Sequence, residues 1–424
     1  MAVEQTARGA DAQARRARLA VVVLFLANGF AYANIVPWLP VIKSQLELSN
    51  TQLGTGIGAM PLGALATGML AGPLIARFGS GRVAVGSGVL LACVLPIVAT
   101  APAWWVFAVG MFCVGWMDAW MDSAMNSHGL RVQRRYGRSI INTFHGIWSV
   151  AAVGGGLVGS SMAGWGAPLP AHITAVTVVL IIGVLAITRL LLPGPEIDPP
   201  AQRQDDSASA TDDGADAAGG PADGARRRWR VPRRSIAMLL VVSVLLMMAG
   251  AIEDSAASWG AVYMRDELAA PLFLVGLPFV ACQAMMTVGR LSGDRITDRF
   301  GAVAVARAGA LLSAAGMALA LLTSVPLGAI VGFGLMGLGV ATLFPLSLAA
   351  AGDIPGLGGG HGVALAAWMA RLGFLGVPPL IGVVADTVSL TAGLWLIPVA
   401  GLLAAVLSVG LRPARTAAAR GRTA

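Results

Sequence analysis

The chain has 424 residues, 56% of them hydrophobic and only 12% charged, against about 25% charged in an ordinary soluble domain. A mean hydropathy of +0.76 points away from a water-soluble enzyme and towards a protein built in the bilayer. The net charge of +8 is almost wholly arginine, Lys43 being the only lysine, and the three cysteines (Cys93, Cys113, Cys282) show no CxxC spacing, which excludes a disulfide framework or a zinc site.

A spanning helix needs about 20 mostly apolar residues. Such segments are expected near 18–40, 51–76, 82–101, 103–128, 139–163 and 170–192, and again near 235–263, 271–293, 302–323, 325–351, 361–385 and 389–411. The fold class expected is therefore an all-α membrane protein of twelve transmembrane helices in two parallel six-helix repeats. The divisions are a tail 1–17, a first half 18–192, a linker 193–234, a second half 235–411 and a tail 412–424.

The first span follows Arg15, Arg16 and Arg18, and Ala31–Ala33 mimics a signal-peptide cleavage site. The apolar run continues to Pro40, so a retained helix is expected. It carries Asn28, Tyr32 and Asn34 as cavity candidates. After the second span comes Gly72–Val85, with Gly72, Arg77, Gly79 and Arg82.

The fourth span reads Trp-Met-Asp-Ala-Trp-Met-Asp-Ser-Ala-Met-Asn over 116–126. Asp118, Asp122 and Asn126 recur every four residues and share one helix face. Two full charges about 6 Å apart repel by roughly 3 kcal/mol at an effective dielectric near 20, so the pair is expected to share a proton near neutral pH. A purely structural role, pairing with an arginine, is the competing reading. Trp116 and Trp120 fall on the opposite side and are expected to pack or to touch lipid.

On the fifth span Asn142, His145 and Ser149 share a face, and His145 belongs to a residue type that titrates in the useful range. The glycines of Val153–Gly159 are expected to allow close helix approach rather than to bind phosphate. Residues 193–234 are rich in Pro, Ala, Ser, Gly and Asp and cannot bury enough apolar surface to order themselves. The cluster Arg226–Arg234 is read as an inner-side anchor, or alternatively as a site for anionic lipid.

Glu253 and Asp254 interrupt the seventh span. Adjacent residues point about 100° apart, so Glu253 is expected in the cavity and Asp254 at a local break or a neighbouring helix. Trp259, one turn on, stacks on a ligand or belongs to an outer aromatic belt. Gln283 on the eighth span is a further cavity candidate. Gly293–Arg307 then repeats the earlier turn, with Arg-Phe-Gly at 299–301 matching 77–79 at an offset of 222. Arg371 is the one cation deep in a span and needs a carboxylate or a substrate anion to answer it.

With the N-terminus in the cytoplasm, all arginines and lysines except Lys43, Arg265 and Arg371 fall on the cytoplasmic side or in the linker. This asymmetry orients the chain with both termini inside, in the cell membrane.

These motifs resemble the major facilitator superfamily, whose signature after helices 2 and 8 is Gly-x3-Asp-Arg-x-Gly followed by basic residues. The second copy keeps Asp298, Arg299 and Gly301, with Arg290 and Asp294 just before them; the first copy keeps Gly72, Arg77, Gly79 and Arg82 but has Ala76 at the acidic position. The resemblance implies a conformational latch at these residues. A narrower resemblance is to the fucose–proton symporter branch, through Asp122-x3-Asn126, Asn142-Thr-Phe-His145, Gly289-Arg290-Leu-Ser-Gly293, and Phe344, Pro345 and Ser347. It implies that Asp122 is the protonating group. That branch carries an acid near Asn34, where this chain has an amide.

The expectation is a secondary active transporter, not an enzyme, moving a small polar solute, such as a sugar or related metabolite, with protons, by alternating access. Asp122 with Asp118 would couple the proton. Asn126, Asn142, His145, Asn34, Glu253, Gln283 and Arg371 would line the cavity. No cofactor, metal or nucleic acid is expected; the partners are the solute, protons and the lipid bilayer, and the chain is expected to act as a monomer. A proton-driven exporter of amphipathic compounds is the alternative, kept open by Met117, Met121 and Met125; a transporter-like sensor is a lesser one.

Overall fold

The computed structural model describes residues 2–136, 140–194, 232–355 and 361–411. Among these, every regular element is helical. We number the spans α1 (Ala12–Gln45), α2 (Asn50–Phe78), α3 (Ser80–Ala99), α4 (Trp104–Tyr136), α5 (Ile141–Gly164) and α6 (Leu169–Leu190). The second set is α7 (Arg233–Ser258), α8 (Leu277–Phe300), α9 (Ala302–Thr323), α10 (Pro326–Gly352), α11 (His361–Thr387) and α12 (Leu390–Leu411).

Eleven of these are long and apolar enough to cross a membrane. The exception is α8, whose last turns carry Arg290, Asp294, Arg295, Asp298 and Arg299 and so dilute its hydropathy. It still has 24 residues, enough for a crossing at about 1.5 Å per residue, and it lies against α5 and α10. The helices α4 and α8 run on past the predicted ends. An apolar count stops at the first charges, whereas a helix continues into water with arginines in its final turn, where cations suit the macrodipole. The expected linker and the C-terminal tail fall mostly outside the described residues.

Packing repeats at the spacing seen in the sequence. In the first half α1 lies on α4 and α5, α2 on α4, and α3 on α4 and α6. In the second, α7 lies on α10 and α11, α8 on α10, and α9 on α10 and α12. The halves meet where α2 packs on α11 and α5 on α8, each the counterpart of the other. Close approach rests on matched glycines. A Cβ at Gly115 would lie 1.8 Å from the Met60 carbonyl oxygen, and one at Gly337, 222 residues on, 2.2 Å from that of Cys282. Without driving force from water, such backbone contact holds membrane helices together.

The repeated Arg-Phe-Gly turn has one geometry twice. Gly79 (φ 84°) and Gly301 (φ 80°) end α2 and α8 in a conformation that L side chains rarely adopt. Each N–H closes on a carbonyl four residues back, Ile75 or Thr297, at 2.8 Å. Arg77 and Arg299 lie over the rings of Phe78 and Phe300 at 5.4 and 5.3 Å.

The two ends of the bundle differ. At the Lys43 end the halves are joined. Lys43 Nζ donates to Asn50 Oδ1 at 2.7 Å and pairs with Asp266 of the other half. Asp386 accepts the backbone N–H groups of Asn50 and Thr51. A Cβ on Gly54 would lie 2.4 Å from the Pro378 oxygen, and one on Gly382 2.5 Å from that of Asn50. At the Arg77 end, neither copy of the turn meets the opposite half in this way. Gly72 and Gly301 have open space where a side chain would go, and Asp294 and Asp298 are exposed, with no ion pair among the described residues.

Candidate substrate cavity

The polar face of α4 divides into two environments. Asp118 is held: Asn28 Nδ2 of α1 donates to its Oδ1 at 2.8 Å, and Asn28 Oδ1 in turn accepts Trp148 Nε1 of α5 at 2.7 Å. This chain ties three helices of the first half together. One turn on, Asp122 is exposed. Asn126 Nδ2 donates at 2.9 Å both to its Oδ1 and to its backbone oxygen, an i to i+4 bond that fixes the carboxylate on the helix.

Opposite Asp122 stand two cationic or titratable groups from other helices. His145 of α5 and Arg371 of α11 are both exposed, and the charge of each reaches Asp122. Neither forms an ion pair with it among the described residues. His145 stands edge-on to Phe25 at 5.3 Å, and Phe25 stacks on Phe144 at 5.4 Å, so an aromatic wall backs the histidine. The arrangement brings a carboxylate and an amide of one half near a guanidinium of the other.

The second half contributes a pair the sequence left unpaired. Arg290 Nη2 of α8 lies 3.1 Å from Glu253 Oε1 of α7. Glu253, expected in the cavity, and Arg290, expected in the latch, neutralise each other between neighbouring helices. Asp254, expected at a break or against a neighbouring helix, lies in a continuous helix. Ser258 Oγ donates to its backbone oxygen at 2.9 Å and to its carboxylate, and its charge reaches Tyr32 of α1. Gln283 is half-buried on α8.

Some expectations are corrected. Asn34 is fully buried and packs against Gly155 and Gly159 of α5; its Nδ2 donates to the Phe30 oxygen at 2.7 Å. It braces α1 against α5 because the helix breaks just after Ala33 and tucks the amide inward. Asn28, also buried, is a bridge rather than an open wall group. Trp259 is fully buried beside Gly54 of α2, neither on a ligand face nor in an outer belt. Met117, Met121 and Met125 are buried within the first half, with Met121 against the Gly88 position of α3. These three methionines, which favoured an exporter, are packed between helices instead of being presented beside Asp122. Asn142 lies on α5, but its side chain is outside the described residues.

Other expectations agree with the packing. Trp120 Nε1 donates to the Thr67 oxygen of α2 at 2.9 Å, and Trp116 stands edge-on to it at 5.3 Å. The glycine run on α5 serves two neighbours: Gly155 and Gly159 face α1, and Gly156 faces Phe279 and Val280 of α8. Sequence reasoning missed Trp148, Phe25 and Asp386. Aromatic residues in apolar spans are too common to signal a site, and Asp386 read as part of a connector.

Comparison with known proteins agrees with this architecture. The family model described as Major Facilitator Superfamily matches residues 21–302. The chain is 27% identical over 394 residues to membrane protein MosC of Rhizobium meliloti, covering 92% of this chain and 89% of that one. Among solved structures it is similar to a bacterial homologue of the human lysosomal transporter Spinster, in an inward-facing and occupied conformation, with TM-score 0.71, 13% identity and coverage of 92% and 95%. It is also similar to a D-xylose–proton symporter, with TM-score 0.64, 14% identity and coverage of 92% and 96%.

Proposed function

The chain belongs to the Major Facilitator Superfamily, whose members are transporters and not enzymes, and from that premise we propose that it moves a small polar solute together with protons through the space around Asp122. The observation that carries this reading is the exposed Asp122 facing His145 and Arg371 without an ion pair. A carboxylate deep in a membrane protein is costly unless it faces water or a partner, and one that is reachable and unpaired can take up and release a proton. Arg371, from the opposite half, supplies the second handle on a polar solute. A sugar or related metabolite fits this set of amide, carboxylate and guanidinium donors and acceptors.

The cycle follows from the difference between the two ends. If the arginine-rich end lies in the cytoplasm, the contacts that join the halves at the Lys43 end lie on the outer side, which supports an inward-facing reading. Protonation of Asp122 and solute binding would change the relative stability of this state and its outward-open counterpart, the halves rocking about the α2–α11 and α5–α8 contacts.

The test is flux in proteoliposomes with an imposed pH gradient, across a panel of labelled sugars and polyols. Wild-type protein should accumulate its solute down the proton gradient. Asp122→Asn should still bind or equilibrate the solute but lose gradient-driven accumulation. Unchanged pH-driven accumulation in that variant would remove Asp122 from the coupling role.

A further inference from the structure

Away from Asp122, a cavity of about 820 Å³ opens at the Arg77 end of the first half. Four arginines line it: Arg16 of α1, Arg77 and Arg82 on either side of the α2–α3 turn, and Arg189 at the end of α6. All four are exposed, and none pairs with a carboxylate among the described residues. The first turn of α3 opens at the same place with no acidic residue and no side-chain cap. Four like charges around one cavity repel unless an anion answers them.

The surroundings indicate where that anion comes from. From Arg82, α3 presents Leu90 and Ile97 outward at helical spacing; from Arg189, α6 presents Leu185, Ile182 and Val179. These residues are exposed although apolar, as expected of a surface against lipid, and α3 packs on α6. The cavity thus lies at the foot of two neighbouring apolar stripes. Guanidinium groups are suited to bidentate recognition of phosphate. We propose that this cavity binds the phosphate headgroup of an anionic phospholipid whose acyl chains lie along the α3–α6 face.

Full-length protein in neutral detergent would be titrated with phosphatidylglycerol, with phosphatidylcholine and with soluble glycerol phosphate, following bound lipid by native mass spectrometry and the melting temperature in parallel. Phosphatidylglycerol should bind and stabilise; the other two should not. Arg82→Gln with Arg189→Gln should weaken phosphatidylglycerol binding by about tenfold or more. Arg134→Gln with Arg135→Gln, at the end of α4 outside the cavity, should leave it unchanged. Should the first pair fail to fold without lipid, Arg77→Gln alone should weaken binding by about fivefold. Equal loss in both pairs would mean diffuse attraction to the basic surface and would overturn the site. Equal binding of glycerol phosphate would make it a soluble-anion site, and equal binding of phosphatidylcholine would leave the arginines without a role; either result also overturns the proposal.

Discussion

The Asp386 carboxylate, at the end of α11, accepts the backbone N–H of Thr51, in the first turn of α2, at 2.7 Å. Its other oxygen accepts that of Asn50 at 2.9 Å. One half of the molecule thereby caps a helix of the other, with a negative charge at a helix N-terminus, where the macrodipole favours it.

Removing this cap should loosen the closed end. Asp386→Ala forfeits about 1–2 kcal/mol of capping, which shifts the balance by about five- to thirtyfold towards the state open at that end. Spin labels at positions 47 and 388, on a cysteine-free background, would report it as a longer distance. An unchanged distance distribution would mean that the α2–α11 backbone contacts alone hold the closure.

Asn28 answers two groups at once, so its loss should be felt more than that of an ordinary polar residue. Asn28→Ala leaves Trp148 Nε1 without its acceptor and Asp118 without its donor. Unsatisfied buried groups cost about 1–3 kcal/mol each. The variant should melt well below wild type, whereas Asn126→Ala, which frees an exposed bond, should melt close to it.

The Glu253–Arg290 pair is partly exposed, with side-chain exposures of 25% and 39%. Its coupling should therefore be no more than about 1 kcal/mol. Exchanging the partners, Glu253→Arg with Arg290→Glu, should restore transport lost in either single variant if the pair acts as a brace between α7 and α8. Failure of the exchange to restore flux would return Arg290 to the latch role that its motif implies.

Arg371→Gln should preserve folding, since the side chain is exposed and holds no ion pair. Loss of a charged hydrogen-bond partner for the solute should raise KM by about tenfold, with Arg371→Lys intermediate. Full transport at unchanged KM would show that the solute does not meet this side chain.

Much of the architecture was legible in the chain itself. Apolar length marks a crossing, and eleven helices satisfy that criterion directly. The twelfth, α8, was also placed by its apolar stretch, and the Arg-Phe-Gly at 299–301 that follows it repeats 77–79, the two turns sharing one backbone geometry. The i, i+4 spacing of Asp118, Asp122 and Asn126 likewise placed them on one face of α4. The site was less legible. Periodicity assigns residues to the face of one helix but is silent on what the next helix brings there.

The sequence by itself therefore determined the class of fold, the duplication and the helix that carries the acids, because hydrophobic length and local periodicity are properties of a single segment. Only the tertiary structure decided the roles within that set. It tied Asp118 to Asn28 and left Asp122 open before His145 and Arg371. It neutralised Glu253 with Arg290 and buried Asn34 and the methionines. Those outcomes depend on contacts between helices far apart in the chain, set by glycine-mediated packing and by which polar groups find partners when water is excluded.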